Sequence, residues 1–363
     1  MIPIARPALP DFEDYVKLLR RIWDSRMLSN FAEFAQLFEE QSRQYLGVSN
    51  ALATVSCDIG LMITLRALEL PTGAPCFVSD FTFNSTINAA ILAGLTPVIV
   101  DADPHSYNMS AAALAIESDH APSSGVVLAT HIFGNPCDAE ALRDVAYSNG
   151  SRLVFDAAHG FGSLRSGVHV GNFGDAEVFS FSGTKPVTMG EGGLITTPHG
   201  DLTEKLRYMR AYGFQGDYRS RYIGVNAKLS ELHAALATLE LEMAESIIDQ
   251  RLDLVRHYKT RLGNRVGWQT VRSEDRSTYK DLALNFGQDR EVVETALRRA
   301  EIETKRYFVP LHTMDPYRRF SRDSNPVSDS LHKELLCVPL YVDLPLSDID
   351  RICDVILEVL DHR

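Results

Sequence analysis

The chain has 363 residues, 45% of them apolar, with 36 basic and 48 acidic side chains and a net charge of -12. That balance argues against a general nucleic-acid-binding face, which needs clustered basic charge, while leaving room for a local positive pocket. No run approaches the roughly 18 apolar residues of a membrane span, and the N-terminus MIPIARPALPDFEDY has no signal-peptide pattern. The five cysteines, Cys57, Cys76, Cys137, Cys337 and Cys353, are scattered and form no CxxC pair. No disulfide framework and no metal site is expected, nor any HxxxH ligand pair. The expectation is a reduced cytoplasmic enzyme with no nucleic-acid and no membrane partner. Its length suggests a large and a smaller domain.

In chain order, Ser29 and Asn30 can cap a helix that runs to about Tyr45 and stops at Gly47. A second helical pattern covers Asp58–Leu68. An apolar strand at Pro75–Val78, a helix near Ser85–Ala93 and a strand Pro97–Val100 ending in Asp101 follow. Then come Gly125–Ala129, a helix near Asp138–Ser148, and a strand Arg152–Phe155 ending in Asp156. This alternation predicts right-handed crossovers and a mostly parallel sheet, with ligands at the carboxyl ends of the strands. A helix is expected over Asp201–Tyr212, with Asp201 and Glu204 as a capping box and Gly213 as its stop. From Leu229 to about Leu262 no Gly or Pro interrupts the helical pattern, a length suited to bridging two domains. The predicted division is a large domain over residues 1–245 and a small C-terminal α/β domain over 246–363.

Two segments carry the chemistry. Residues 177–197 read EVFSFSGTKPVTMGEGGLITT: a β-prone run, a small-residue turn holding Lys185, a glycine-rich reversal and a second strand. Pro186 disfavours helical geometry at Lys185. A lysine that binds a carbonyl covalently must be desolvated with a lowered pKa. Read alone, this segment fits a solvated hairpin lysine better. Residues 154–163 read VFDAAHGFGS and put Asp156 at a strand's carboxyl end, where it is either a functional carboxylate or a helix cap. Asp156 and Lys185 fall on successive strand ends, hence on one rim of the sheet, and this pairing favours the functional reading of both.

Together with GVNAKLSELHAA at 224–235, these segments resemble the DegT/DnrJ/EryC/StrS family of pyridoxal-phosphate (PLP) sugar aminotransferases. Further matching stretches are LFEEQSRQYLGV near residue 40, DFTFNST at 80–86, GLTPVIVDAD at 94–103, HIFGNPCD at 131–138 and KRYFVPLH at 305–312. The resemblance covers nearly the whole chain. It implies the fold of type I PLP-dependent transferases, pyridoxal 5'-phosphate as cofactor (pyridoxamine 5'-phosphate in turnover), and a homodimer with shared active sites. In that family Lys185 holds the cofactor and shuttles the proton, and Asp156 faces the pyridine nitrogen. His159 contacts the ring hydroxyl, Phe83 stacks on the ring and Ser180 binds the phosphate. Asn226 reaches the phosphate of the neighbouring subunit.

The start of the helix at residues 57–61 matches the other half of the phosphate cup. There the sequence departs from the family, since Ser56-Cys57-Asp58 stands where Ser-Gly-Thr is usual. A carboxylate would repel a phosphate dianion, so the expectation is that backbone amides bind and Asp58 turns away to cap its own helix. Tyr307, His312, Arg221 and Lys228, with Arg219, Lys305 and Arg306, are candidates to meet a sugar diphosphate. Each basic residue taken singly reads more simply as a solvated surface charge. The implied reaction moves an amino group from glutamate to the keto carbon of a nucleotide-linked keto-6-deoxyhexose. The favoured acceptor is C4 of dTDP-4-keto-6-deoxyglucose, with C3 amination or an aminocyclitol precursor as alternatives. Lys185 argues against the family's dehydratases, which carry histidine there. Intact Lys185, Asp156 and GEGG argue against a non-catalytic regulator. An oxidoreductase lacks its fingerprint, because GNFG at 171–174 has no third glycine.

Overall fold

The computed structural model describes residues 1–121, 123–321 and 324–362. The elements, in order, are α1 (Phe12–Ser25), α2 (Glu33–Leu46), β1 (Ala51–Thr54), α3 (Cys57–Ala67), β2 (Pro75–Ser79), α4 (Asn84–Leu92), β3 (Thr96–Val100), α5 (Ala111–His120), β4 (Val126–Thr130), α6 (Ala139–Ser148) and β5 (Arg152–Asp156). A short hairpin follows, β6 (Leu164–Arg165) and β7 (Val168–His169), then β8 (Ala176–Ser180), β9 (Gly193–Thr196), α7 (Gly200–Met209) and α8 (Glu231–Leu262). The C-terminal part holds β10 (Gly267–Trp268), β11 (Leu282–Asn285), α9 (Arg290–Arg299), α10 (Pro326–Glu334), β12 (Leu335–Val338) and α11 (Leu346–Asp361).

Seven strands form the main sheet in the order β1-β9-β8-β5-β4-β2-β3. Neighbours from β8 through β3 pair parallel, while β9 runs against both β8 and β1. The architecture is therefore the expected α/β one. Strands such as β4, with sequence VVLAT, are buried along their whole length, as a sheet covered on both faces requires. Alternate residues feed different layers. Val126, Leu128 and Val154 pack with Leu61, Ile87 and Leu206 of α3, α4 and α7. Val127, Leu153 and Phe155 pack with Leu114 and Leu142 of α5 and α6. Register sets Thr130 beside Asp156, and Asp156 beside Val178, so three strand ends meet on one rim.

Helix α8 has 32 residues and spans about 48 Å. Ala234, Ala235 and Ala244 pack into the core around α2 and the β1–β9 edge. Leu254, Val255, Tyr258 and Leu262 pack instead with β11, β12, α9 and α11. Between the two, the buried Arg251 guanidinium donates to the carbonyls of Thr278 (3.3 Å), Leu340 (3.1 Å), Lys280 (3.1 Å) and Tyr279. Ile2 packs into the C-terminal core and bridges Ile302, so the first residues join that core rather than the large sheet.

Two local expectations are corrected, and one helix is added. Helix α2 starts at Glu33, not beside Ser29 and Asn30, and no nearby side chain caps it. The buried carboxylate of Glu231, from the start of α8, accepts from Phe34 N (2.7 Å) and Ala35 N (3.3 Å). A cap supplied from nearly two hundred residues away has no local sequence signal. Helix α7 starts at Gly200 with no side-chain cap, so the Asp201–Glu204 box does not form. Helix α1 lies outside the sequence-based pattern, although Asp11 caps it through Glu13 N (2.9 Å) and Asp14 N (3.3 Å). Among the described residues, no helix is long and apolar enough to cross a membrane.

Candidate active site

A cavity of about 340 Å³ opens at the carboxyl ends of β2, β4, β5 and β8. Parallel strands end there with their helices leading away, so side chains just past each strand converge on it. Asp156, the last residue of β5, is buried on its floor. Its Oδ2 accepts from Thr86 Oγ1 (2.6 Å) and its Oδ1 from Ala158 N (3.0 Å). Burial pushes this carboxyl up, and the Thr86 and Ala158 hydrogen bonds oppose that push.

Lys185 sits on a turn that leaves β8 and is held from several sides. Lys185 N donates to Ser182 O (2.9 Å), Thr188 Oγ1 lies 3.1 Å from Phe181 O and 3.0 Å from Ser182 O and shares its one proton between them, and Glu240 Oε2 accepts from Thr188 N (3.3 Å). Among the described residues, the Lys185 amine has no hydrogen-bond or ion-pair partner. Burial first, and then the charge of Lys280, bring its ammonium down to about 8. Lys185 is thus half-buried on the cavity wall rather than on an open hairpin tip.

The glycine-rich reversal has a steric cause. A Cβ at Gly193 would lie 2.6 Å from Ser56 C and 2.7 Å from Cys57 N, so β9 can pass the start of α3 only as glycine. That contact fixes the first turn of α3 against the cavity. Ser56 caps the helix by accepting from Ile59 N (3.3 Å), and Ser56, Cys57 and Asp58 all line the cavity. The expectation that Asp58 turns away and caps α3 is corrected: Ser56 is the cap, and Asp58 is exposed on the cavity wall. Cys57 is buried, its thiol against Val178 O (3.6 Å), and burial holds it protonated. Ser180 is buried beside it and accepts from Ser182 N (3.4 Å).

His159 is buried and stays neutral, because burial and the nearby lysines lower it well below the ordinary imidazole range. Its Nδ1 accepts from Phe133 N (3.2 Å), which leaves the proton on Nε2. Phe83 lines the cavity with 55% of its surface exposed, an apolar ring with no ring partner among the described residues, beside a polar floor. Tyr307 lines the mouth, with Lys305 Nζ 4.5 Å and Lys280 Nζ 5.4 Å from its ring centre. Lys280 is itself paired with Asp281 (2.9 Å), whereas Lys305 is exposed.

The other predicted substrate residues do not line this cavity. His312 is a strut: its Nδ1 meets Asp80 Oδ2 (2.6 Å), its backbone N meets Asp80 Oδ1 (2.9 Å), and its Nε2 lies 3.6 Å from Asp329. The motif correctly marks a constrained residue, but strand-end Asp80 draws its ring away from the mouth. Arg221 stacks on Tyr208 (5.3 Å). Lys228 donates to Asn30 Oδ1 (2.6 Å), and Arg306 pairs with Glu294. Asn226 is exposed and outside its own chain's cavity. Lining residues that sequence reasoning missed include Thr82, Thr130, Ser182, Thr184, Glu191 and Lys280. Thr82 and Thr130 follow strand ends and were open to the same rule that marks Asp156. Lys280 precedes β11 in a different part of the chain and has no such signal.

The residues suit a cofactor with a phosphate, an aromatic ring and a carbonyl. The free amides of the α3 start and Ser180 suit the phosphate, Phe83 offers a stacking face, Asp156 a buried carboxylate, and Lys185 an unpartnered amine of lowered pKa. Asp58, at the start of α3 itself, carries a charge that opposes a phosphate there; Asp156 and Glu191 are the other acidic lining residues.

Comparison with known proteins agrees with this geometry. The chain is 30% identical to GDP-perosamine synthase of Caulobacter vibrioides, over 99% of this chain and 98% of that protein. It is 28% identical to dTDP-4-amino-4,6-dideoxy-D-glucose transaminase of Escherichia coli, over 94% of each. The crystal structure of DesI with its TDP-sugar product superposes with a TM-score of 0.92 at 30% identity, covering 100% of this chain and 94% of that one. Residues 11–357 match the DegT/DnrJ/EryC1/StrS aminotransferase family as a whole, and the chain belongs to that family.

Proposed function

We propose that this enzyme transfers an amino group from glutamate to C4 of a nucleotide-linked 4-keto-6-deoxyhexose, with dTDP-4-keto-6-deoxyglucose as the acceptor. The observation that carries the reading is one cavity holding both the Lys185 amine and the buried Asp156 carboxylate, with Tyr307, Lys280 and Lys305 also on its wall. Pyridoxal phosphate, which the family implies, supplies an electron-accepting ring when bound. Asp156 keeps the ring nitrogen protonated. Lys185, neutral for a useful fraction of the time at its lowered pKa, would take the proton from the donor's carbon in one half-reaction and deliver a proton to the acceptor's carbon in the other. Neutral His159 offers its Nε2–H as a donor to the ring hydroxyl. The amides of Cys57 and Asp58 and the Ser180 hydroxyl hold the phosphate, and Asn226 adds a contact from the neighbouring subunit of a homodimer. The Lys305 ammonium meets the diphosphate.

The C4 position is supported by the perosamine synthases and the dTDP-4-amino-4,6-dideoxy-D-glucose transaminases among the relatives. A 26% identical relative, dTDP-3-amino-3,6-dideoxy-alpha-D-galactopyranose transaminase of Aneurinibacillus thermoaerophilus, keeps C3 amination as the second reading. The deciding experiment loads the protein with pyridoxamine phosphate and offers dTDP-, UDP- and GDP-linked 4-keto and 3-keto sugars in single turnover. Return of the aldehyde form is expected with the dTDP-linked 4-keto sugar. Return only with a GDP-linked sugar or a 3-keto isomer overturns the substrate assignment. No return with any member of the panel overturns the sugar-transaminase reading.

A further inference from the structure

Behind Asp156 lie three threonines from three different segments. Thr86 is in the first turn of α4, Thr82 is in the loop before it, and Thr130 ends β4. All three are buried. Thr86 Oγ1 lies 2.6 Å from Asp156 Oδ2, Thr82 Oγ1 lies 3.1 Å from Thr86 Oγ1, and Thr130 Oγ1 lies 2.8 Å from Thr82 Oγ1. The order of donors is fixed by counting protons. A hydroxyl has a single proton to give. Thr86 gives its proton to the ionised carboxylate, which accepts only. Thr86 must then accept from Thr82, and Thr82, its proton spent, must accept from Thr130. The chain runs Thr130 to Thr82 to Thr86 to Asp156, and each donor polarises the next.

We infer that Thr130, Thr82 and Thr86 are positioning residues, a directional hydroxyl relay that keeps Asp156 ionised and fixes its carboxylate plane toward the cavity. The inference rests on the reading of Asp156 as the partner of the cofactor's ring nitrogen. A donated hydrogen bond at 2.6 Å is of the short, charge-assisted kind. It lowers the proton affinity of Asp156, so a proton shared between Asp156 and a ring nitrogen stays on the nitrogen. Without the relay, burial alone favours the neutral acid. Ala158 N holds only the other oxygen, Oδ1. Thr82 and Thr130 also line the cavity, so the relay reaches its wall at a point separate from Asp156.

The test uses holoenzyme reconstituted with ring-15N-labelled pyridoxal phosphate and reads the nitrogen chemical shift, alongside cofactor affinity. Thr86→Val should move the shift toward the unprotonated limit and weaken cofactor binding about tenfold, the cost of one hydrogen bond to a charged group. Thr86→Ser, which restores the hydroxyl, should return both to wild-type values. Thr82→Val and Thr130→Val should give shifts of the same sign and decreasing size, a gradation that loss of packing would not produce. They also stand in if Thr86→Val does not fold. Asp156→Asn is the control for the underlying reading and should displace the nitrogen signal most. If Asp156→Asn leaves the signal unchanged, the assignment of Asp156 fails. If Asp156→Asn moves it while the valine variants leave it at the wild-type position, the relay fails and the assignment stands. Equal shifts from all three valine variants would also overturn a directional chain.

Discussion

At the floor of the cavity, Asp156, Thr86, Thr82 and Thr130 are buried, and each hydroxyl proton has an acceptor within 3.1 Å. At the mouth, Lys305 is exposed and meets the face of Tyr307 at 4.5 Å. Asp156, Thr82 and Thr130 line the same space as Tyr307 and Lys305, with Thr86 behind them, yet the two regions differ in burial. Removing one partner of a buried hydrogen bond leaves the other unsatisfied, so its loss is costly. At the mouth, water and salt screen each charge, and an exposed ionic contact contributes roughly 1 kcal/mol or less. On the proposed function, reaction chemistry belongs at the floor, where geometry is fixed, and recognition of an anionic ligand at the mouth, where charge attracts without rigid placement.

The largest expected effect is at Lys185. Lys185→Ala should lower transamination by about 10⁴-fold or more, because nucleophile and proton carrier are lost together. Borohydride reduction and peptide mapping of the wild-type protein should place the cofactor label on Lys185. A label on another lysine would remove the floor from the chemistry altogether. Asp156→Asn comes next. It should retain the cofactor and lower turnover by about 10²-fold or more, since an amide cannot stabilise a protonated ring nitrogen. Near-wild-type turnover at saturating cofactor would rule out the role.

The third effect depends on pH. Only the neutral Lys185 amine captures the cofactor's carbonyl, and this group sits near 8, below the ordinary lysine value. The neutral fraction then rises from roughly a tenth at pH 7 to roughly nine-tenths at pH 9. Reconstitution of apoprotein should speed up about tenfold over that interval and level off above it. A rate still climbing steeply beyond pH 10 would mean that Lys185 titrates as an ordinary, solvated lysine. The fourth test moves to the mouth. Lys305→Gln should raise KM for the sugar nucleotide about threefold to fivefold and leave kcat intact. The difference should shrink as salt is added. A loss that exceeds tenfold and persists at high salt would make the mouth behave like the floor.

The same contrast explains what could be read in the sequence. Asp156 ends a strand in a parallel sheet, and it was the pairing with Lys185 on the next strand end that marked both as residues of one rim. The alternation of strands and helices gave the sheet and its long bridging helix with boundaries shifted by a few residues. Long-range contacts were not legible. Glu231 caps α2 from the far side of the sequence, and Asp80 turns His312 from a substrate contact into a strut. Asp58 was expected to turn away and cap its own helix, yet it is among the residues that line the cavity, and Ser56 is the cap. Lys280 reaches the site from beside β11, where no strand-end rule applies. Residues that act through local geometry are visible in order and spacing; those whose direction is set by a distant partner are not.

The smallest regained activity, at most half of wild type, is expected at Asn226, which sharpens the comparison because it belongs to neither region of its own chain. It is exposed, follows an exposed Ile223, and bridges Ala211 through its backbone. A contact to a neighbouring subunit's phosphate would give this residue a function that its own cavity does not. A two-fold assembly makes such a contact reciprocal, so each dimer has two composite sites. Mixing Lys185→Ala with an Asn226→Ala variant that binds cofactor poorly then has a countable result. In a mixed dimer, one site carries both lesions and the other carries neither. Activity should return to at most about half of the wild-type value per mixed dimer, by symmetry alone. Subunit exchange is followed independently with differently tagged chains. If exchange is complete and no activity returns, Asn226 does not act across the interface. The phosphate is then held by one chain's floor alone.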